Sequence, residues 1–323
     1  MAQPIESTMR AVRYERYGPP DVLQVHKVPV PQPGKGEVLI RVHATSVNPA
    51  EAQVRAGKMR VMSGFRFPKG TGEDFTGQIV AAGPGVDSSV VGRRVWGSKV
   101  GLNSATAAEY ICLDESLTAP APVGHDLVTA AALPTVGLTA LLALRTVGLH
   151  PEHSLLVVGA SGGVGSATVQ LAAAKGARVT TISSGANTDL CLGLGAEQAY
   201  AHELPEQLPA GQEFDAVIDL NGTSMGTYRR RLRQGGRMAS LSAKGMGYAM
   251  LSALLPGPRA RMARMKPTRA HLNELADHVE RGDLRPVLHK VYAMEEIAEA
   301  HRSMETGHSR GKRVVRIADD PEF

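Results

Sequence analysis

Leu155-Leu-Val-Val158 runs directly into Gly159-Ala-Ser-Gly162-Gly163-Val-Gly165, and this stretch decides the fold. Four consecutive apolar residues read as a strand buried on both faces, the usual state of a parallel strand flanked by helices. Ser166 to Lys175 then reads as a helix, which Gly176 ends. Glycines between such a strand and helix let the backbone turn tightly and approach a pyrophosphate. The helix N-terminus adds free N–H groups and the positive end of its dipole. A purely structural glycine-rich turn is the plainer alternative, and the flanking strand and helix argue against it. Gly159, Ser161, Gly162, Gly163, Val164 and Gly165 are therefore the expected dinucleotide-contacting residues.

The pattern continues outward from there. Arg178 to Ser183, Asp215 to Asp219 and Gly236 to Leu241 read as further strands, with helical segments between them. Strands alternating with helices imply right-handed crossovers and a parallel sheet, an α/β doubly wound domain. Upstream of Pro120-Ala-Pro122 the texture is different. Glu37 to His43 and Gln78 to Ala82 alternate as strands between turns such as Gly83-Pro-Gly85, and Pro29 to Gly34 is a connector. In the tail, Arg269 to Arg281 is an amphipathic helix, Pro286 to Tyr292 a strand, Met294 to Glu305 a helix and Lys312 to Ile317 a last strand.

The 323 residues suit two domains. Hydrophobic residues at 43% and charged residues at 21% are ordinary for a globular chain, long enough to need no staple. Cys112 and Cys191 stand far apart and there is no CxxC, so they read as two reduced thiols in a cytosolic protein. No apolar leader precedes Met9, and Leu127 to Leu144 reads as buried core, because Pro134 and Gly137 interrupt it. The net charge of +5 permits an anionic ligand. Arginines cluster at Arg229 to Arg237 and again at Arg259 to Arg269, which reads as solvated surface; aromatics at 4% are too sparse to stack bases, so nucleic acid is not the expected partner.

Two nucleotide chemistries are excluded directly. No Gly-Lys-Ser/Thr follows the glycines, so this is not a P-loop. None of the seven tyrosines has a lysine four residues on, so the Tyr–Lys pair of short-chain dehydrogenases is missing. Cofactor choice is read at the end of the second strand, where a carboxylate ordinarily holds a ribose diol. Thr180-Thr-Ile-Ser-Ser-Gly-Ala-Asn187 contains none. Ser183, Ser184 and Asn187 could hydrogen-bond a 2′-phosphate there, so NADP is expected over NAD.

With these residues in hand, the chain resembles the zinc-independent quinone oxidoreductase (zeta-crystallin-like) branch of the medium-chain dehydrogenase/reductase superfamily. The resemblance rests on Met9-Arg-Ala-Val12 with Tyr17-Gly18, Gly36 to Leu39, Ser46 to Glu51, Gly72 to Gly77, Ala108 to Tyr110, Pro134 to Ala140, Val158 to Gly165, Leu194 to Ala196 and Gly311-Lys312, in that order. It implies a Rossmann domain, residues 126–265, inserted in a GroES-like catalytic domain built from residues 1–125 and 266–323, with the cofactor in the cleft and a homodimer formed through the edge strands. It also implies that Asn48 lies near the nicotinamide ribose and the substrate, that Thr139 touches the nicotinamide, and that Leu220, Asn221, Leu241 and Ser242 line the cofactor groove. Zinc-dependent relatives carry an early Cys and a Gly-His-Glu; here Asn48 and Gly72-Glu73-Asp74 stand in their place, so no catalytic metal is expected. The chemistry implied is hydride transfer from NADPH to a quinone or an α,β-unsaturated carbonyl. Two other readings stand beside it: an NADPH-binding redox sensor or RNA binder without catalysis, and an NADH-dependent enone reductase.

Overall fold

The computed structural model describes residues 5–102, 104–202, 208–263, 268–307 and 310–319. Ser154–Val158 is the central strand of a six-stranded sheet, and its Leu155, Leu156 and Val157 are wholly buried. Arg178–Ser183 and then Gln198–Ala201 lie on one side of it. Phe214–Asp219, Leu232–Ser240 and Ala260–Met262 lie on the other. Every pairing in this sheet is parallel. Strand order therefore reverses at the carboxyl end of Ser154–Val158, the place where open α/β sheets hold ligands.

The helix after this strand is longer than the sequence suggests. It spans Gly163–Ala174 with Gly162 as its N-cap, so two of the loop glycines belong to its first turn. Helix propensity disfavours glycine there, but packing wins over a weak local preference. The Leu127 to Leu144 stretch resolves into two helices, Leu127–Ala130 and Pro134–Thr146, with Pro134 at a helix start where its missing N–H is harmless.

Both ends of the chain meet in the second domain. Lys312–Arg316 pairs antiparallel with Glu37–Ser46, and Leu288–Ala293 runs parallel beside it. Glu37–Ser46 also pairs with Asp74–Ala82 and Tyr110–Asp114, and Arg94–Ser98 followed by Ala119–Pro120 beyond Asp74–Ala82 complete a seven-stranded sheet. Thr8–Arg13 and Gln24–Pro29 form a separate hairpin-like pair. The tail between Met294 and Glu305 is a 3₁₀ turn followed by the helix Ile297–Glu305.

Arg269–Glu280 buries Leu272, Leu275, Ala276 and Val279, as its periodicity indicates, in a core that joins Pro134–Thr146 to Trp96 and Ala119. A Cβ on Gly137 would stand 2.7 Å from the Leu275 methyl groups, so at this helix crossing a larger residue would have to displace Leu275. The expected boundary at 265–266 lies outside the described residues.

Candidate active site

A cleft of about 700 Å³ runs between the two domains. Its first wall is the glycine loop. Gly159 has φ of +84°, a left-handed conformation open to glycine, and a Cβ there would meet the Asn221 Oδ1 at 2.9 Å. A Cβ on Gly165 would stand 2.3 Å from the Gly159 carbonyl oxygen, so this glycine sets how closely helix and strand approach. No side chain caps the helix at Gly162. Its first N–H groups, which no helix can satisfy internally, face the cleft lined by Gly162, Gly163, Val164 and Gly165. An uncapped N-terminus in a cradle without side chains fits a pyrophosphate.

Beside the loop, Asp219 ends its strand fully buried, and its Oδ1 accepts from the backbone N–H of Asn221 and of Gly222, each at 2.9 Å. This carboxylate shapes the turn that brings Leu220 and Asn221 to the cleft. Burial raises its pKa and the two N–H donors oppose the rise.

The opposite wall is a buried charge cluster. Lys312, 6% exposed, donates from Nζ to the Val47 carbonyl at 2.8 Å and to Asn48 Oδ1 at 2.7 Å, and pairs with Asp74 Oδ2 at 3.6 Å. Asn48 in turn donates from Nδ2 to Asp74 Oδ2 at 2.8 Å. Asp74 also accepts from Ser46 Oγ and, at 2.7 Å, from the backbone N–H of Thr135 at the start of the Pro134–Thr146 helix. Glu51 accepts from Asn48 N, Thr71 Oγ1 and Gly72 N. Asn48 is thus fixed at both ends of its amide and as the N-cap of Pro49–Arg55.

Glu73 is the exception among these acids. It lines the cleft at 3% exposure, and no described residue hydrogen-bonds its carboxyl. Burial, then the neighbouring Glu51 and Asp74, pushes its pKa up to about 8, with Lys312 opposing. The two domains are stitched together at this point: Gly311 N–H donates to the Ser161 carbonyl at 2.9 Å, and a Cβ on Gly163 would press on Lys312 Cδ at 2.7 Å.

At the end of the second strand, Ser183 is buried and spends its hydroxyl on the Ser184 carbonyl at 3.1 Å. Asn187 Nδ2 donates to Ser184 Oγ at 2.9 Å, which leaves the Ser184 hydroxyl proton directed elsewhere. His202 stands alongside, its Nδ1 3.1 Å from the Ser183 carbonyl oxygen.

The structure brings almost all of the expected site residues to one cleft. Asn48, Thr139, the glycine-loop residues, Ser183, Ser184, Asn187, Leu220, Asn221 and Leu241 line it; Ser242 does not, and its Oγ accepts from the Lys244 backbone N–H at 3.2 Å. Thr139 also donates to the Thr135 carbonyl at 2.6 Å, so it is a helix-interior hydroxyl as well as part of the wall. Glu51, Gly72-Glu73-Asp74 and Gly311-Lys312 are separate motif pieces in the sequence, and only the fold brings them together. His202 and Asp219 carried no local signal of a site. Among the described residues, no group of three or more His, Cys, Asp or Glu is placed to hold a metal ion.

Residues 34–123 match the alcohol dehydrogenase GroES-like domain, and residues 194–315 match the zinc-binding dehydrogenase domain. The chain is 31% identical to the chloroplastic quinone-oxidoreductase QR1 of Triphysaria versicolor, over 95% of this chain and 98% of that one. It is 30% identical to the 2-methylene-furan-3-one reductase of Solanum lycopersicum, over 96% of this chain and 80% of that one. The structure of the quinone oxidoreductase from Coxiella burnetii superposes with a TM-score of 0.89 at 32% identity, over 96% of this chain and 99% of that one. A GroES-like domain carrying a parallel-sheet domain with a glycine loop at its switch point defines an oxidoreductase with a nicotinamide-dinucleotide-binding fold. The chain belongs to the quinone oxidoreductase branch of the medium-chain dehydrogenase/reductase superfamily.

Proposed function

We propose that the cleft binds NADPH and that the protein reduces a quinone or an α,β-unsaturated carbonyl without a metal. The observation that carries this reading is the continuity of one cleft. It runs from the uncapped helix N-terminus to the Asn48–Lys312–Asp74 network, so a dinucleotide held at the first presents its far end at the second. The bound dinucleotide would supply the hydride. Gly162 to Gly165 hold the pyrophosphate, and Thr139 and Asn48 position the nicotinamide end. Ser184, oriented by Asn187, and His202 meet the 2′-phosphate, and among the described residues no carboxylate lines that end of the cleft.

The donor set supports metal-free chemistry. Asn48 stands in the sequence where zinc-dependent relatives carry an early cysteine, and its Oδ1 accepts from Lys312 Nζ. The tomato relative, by its name, reduces a ketone conjugated to a methylene group, and the Triphysaria relative is a quinone oxidoreductase. Both substrate types accept a hydride and then a proton. The arginines at Arg229, Arg231 and Arg233 bond to backbone carbonyls or to Asp215, which favours a structural role over an RNA surface. A homodimer is part of the same proposal. Ala260–Met262 ends its sheet, and Met250 at 73% and Leu254 at 83% exposure lie on the adjoining segment, an apolar surface suited to a second copy.

Fluorescence titration with NADPH and NADH, followed by oxidation assays across quinones, enones and aldehydes after exhaustive chelation, tests this reading. NADPH should bind more tightly and be consumed with quinones or enones. Tighter NADH binding, or turnover that dies on chelation, would contradict it.

A further inference from the structure

We propose that Glu73 is the proton donor that completes reduction of a conjugated carbonyl in the cleft. Three carboxyl groups surround the single Lys312 ammonium: Glu51 from the helix Pro49–Arg55, Glu73, and Asp74 at the start of the strand Asp74–Ala82. If all three ionised, the buried cluster would carry two uncompensated negative charges. Glu51 and Asp74 each accept several hydrogen bonds; at Glu51 these oppose the burial that pushes its pKa up to about 7. Glu73 has no such partner among the described residues, is almost fully buried, and lines the cleft with Asn48, Thr135 and Thr139. A buried carboxyl without donors keeps its proton. The groups that act on it are Glu51 and Asp74, which favour the protonated form, and Lys312, which opposes it. Its pKa, pushed up to about 8, suits an acid working near neutrality.

The step rests on the function proposed above, with the reduced nicotinamide as hydride donor. Hydride addition to the β-carbon moves the π electrons onto the α-carbon and oxygen as an enolate. The enolate takes the Glu73 proton: a C–H bond forms at the α-carbon, the Glu73 O–H bond breaks, and the carboxylate remains. The substrate gains two electrons and the nicotinamide loses them. Glu73 regains its proton from solvent through the cleft.

Glu73→Gln is the test, because the amide is neutral and nearly isosteric with the protonated acid, so a merely structural role would survive the change. With methyl vinyl ketone and NADPH at pH 7, kcat should fall about a hundredfold or more, in the range that general acids contribute. The NADPH Kd, the enone KM and the Tm should stay close to wild type. Wild-type kcat should fall as pH rises through about 8, and this limb should vanish in Glu73→Gln and persist, at lower kcat, in Glu73→Asp. Unchanged kcat and an unchanged pH profile in Glu73→Gln would overturn the proposal. So would a loss of Tm and NADPH affinity that accounts for the lost rate. A wild type that binds NADPH but reduces no enone or quinone would instead overturn the function on which it rests.

Discussion

Lys312→Met should destabilise the protein by about 3–5 kcal/mol, the usual cost of removing one partner from a buried ion pair. Methionine fills nearly the same volume, so the change removes chemistry rather than packing. The Lys312 side chain is 7% exposed and satisfies the Val47 carbonyl and the Asn48 oxygen while facing Asp74. Without it both oxygens lose a charged donor inside the protein, and Asp74 and Glu51 lose the attraction of the Lys312 cation. The entropy of unfolding is about 2.1 cal/mol/K per residue, or about 0.7 kcal/mol/K for 323 residues, so Tm should fall by about 4–7 °C. Urea unfolding and calorimetry measure both quantities. The double variant Lys312→Met with Asp74→Asn should be more stable than the sum of the single costs predicts, with a coupling of about 1–3 kcal/mol, because it also removes the stranded charge. A Tm within a degree of wild type, or strictly additive costs, would refute a charge cluster centred on Lys312.

Gly165→Ala should weaken NADPH binding and cost about 1–3 kcal/mol of stability, because its Cβ would stand 2.3 Å from the Gly159 carbonyl and neither backbone segment can yield cheaply; isothermal titration and urea unfolding report the two effects. Ser184→Asp should reverse cofactor preference from about tenfold for NADPH, equivalent to about 1.4 kcal/mol, toward NADH, as paired dissociation constants will show. His301 is buried with neither ring nitrogen partnered among the described residues, and burial pushes its pKa down to about 3. The unfolded chain therefore takes up a proton near pH 6.5 that the folded chain refuses, so stability from this group is complete above pH 6.5 and is lost as pH falls toward 3. In His301→Leu the acid slope of urea stability between those values should become shallower.

The parallel-sheet half of the molecule was legible because its signals are local. An apolar strand, a glycine loop and a helix stop follow one another between Leu155 and Gly176, and each has its own physical reason. The loop helix starts three residues earlier than the sequence suggests: propensity argues against Gly163 and Gly165 as helical, while close packing of Gly165 on Ala160 and of Gly163 on Lys312 calls for glycine there. The charge cluster was not legible as a unit. Glu51, Asp74 and Lys312 are separated by up to 261 positions and meet only because the last strand pairs with Glu37–Ser46. The expected pairing of Ser183 with phosphate shows a similar limit. A serine at a strand end looks available in sequence, yet here its hydroxyl is turned to the neighbouring backbone carbonyl.

Hydride transfer is the central claim, and isotope tracing tests it most directly. The protein is mixed with NADPH deuterated at C4 of the nicotinamide, separately for each face, together with an enone or a quinone, and the products are read by mass spectrometry and NMR. One deuterated face should deliver its label to the β-carbon of the enone, or drive stoichiometric hydroquinone formation with a primary isotope effect. NADPH that binds in the cleft and is never consumed, with no label in any product, would contradict the account.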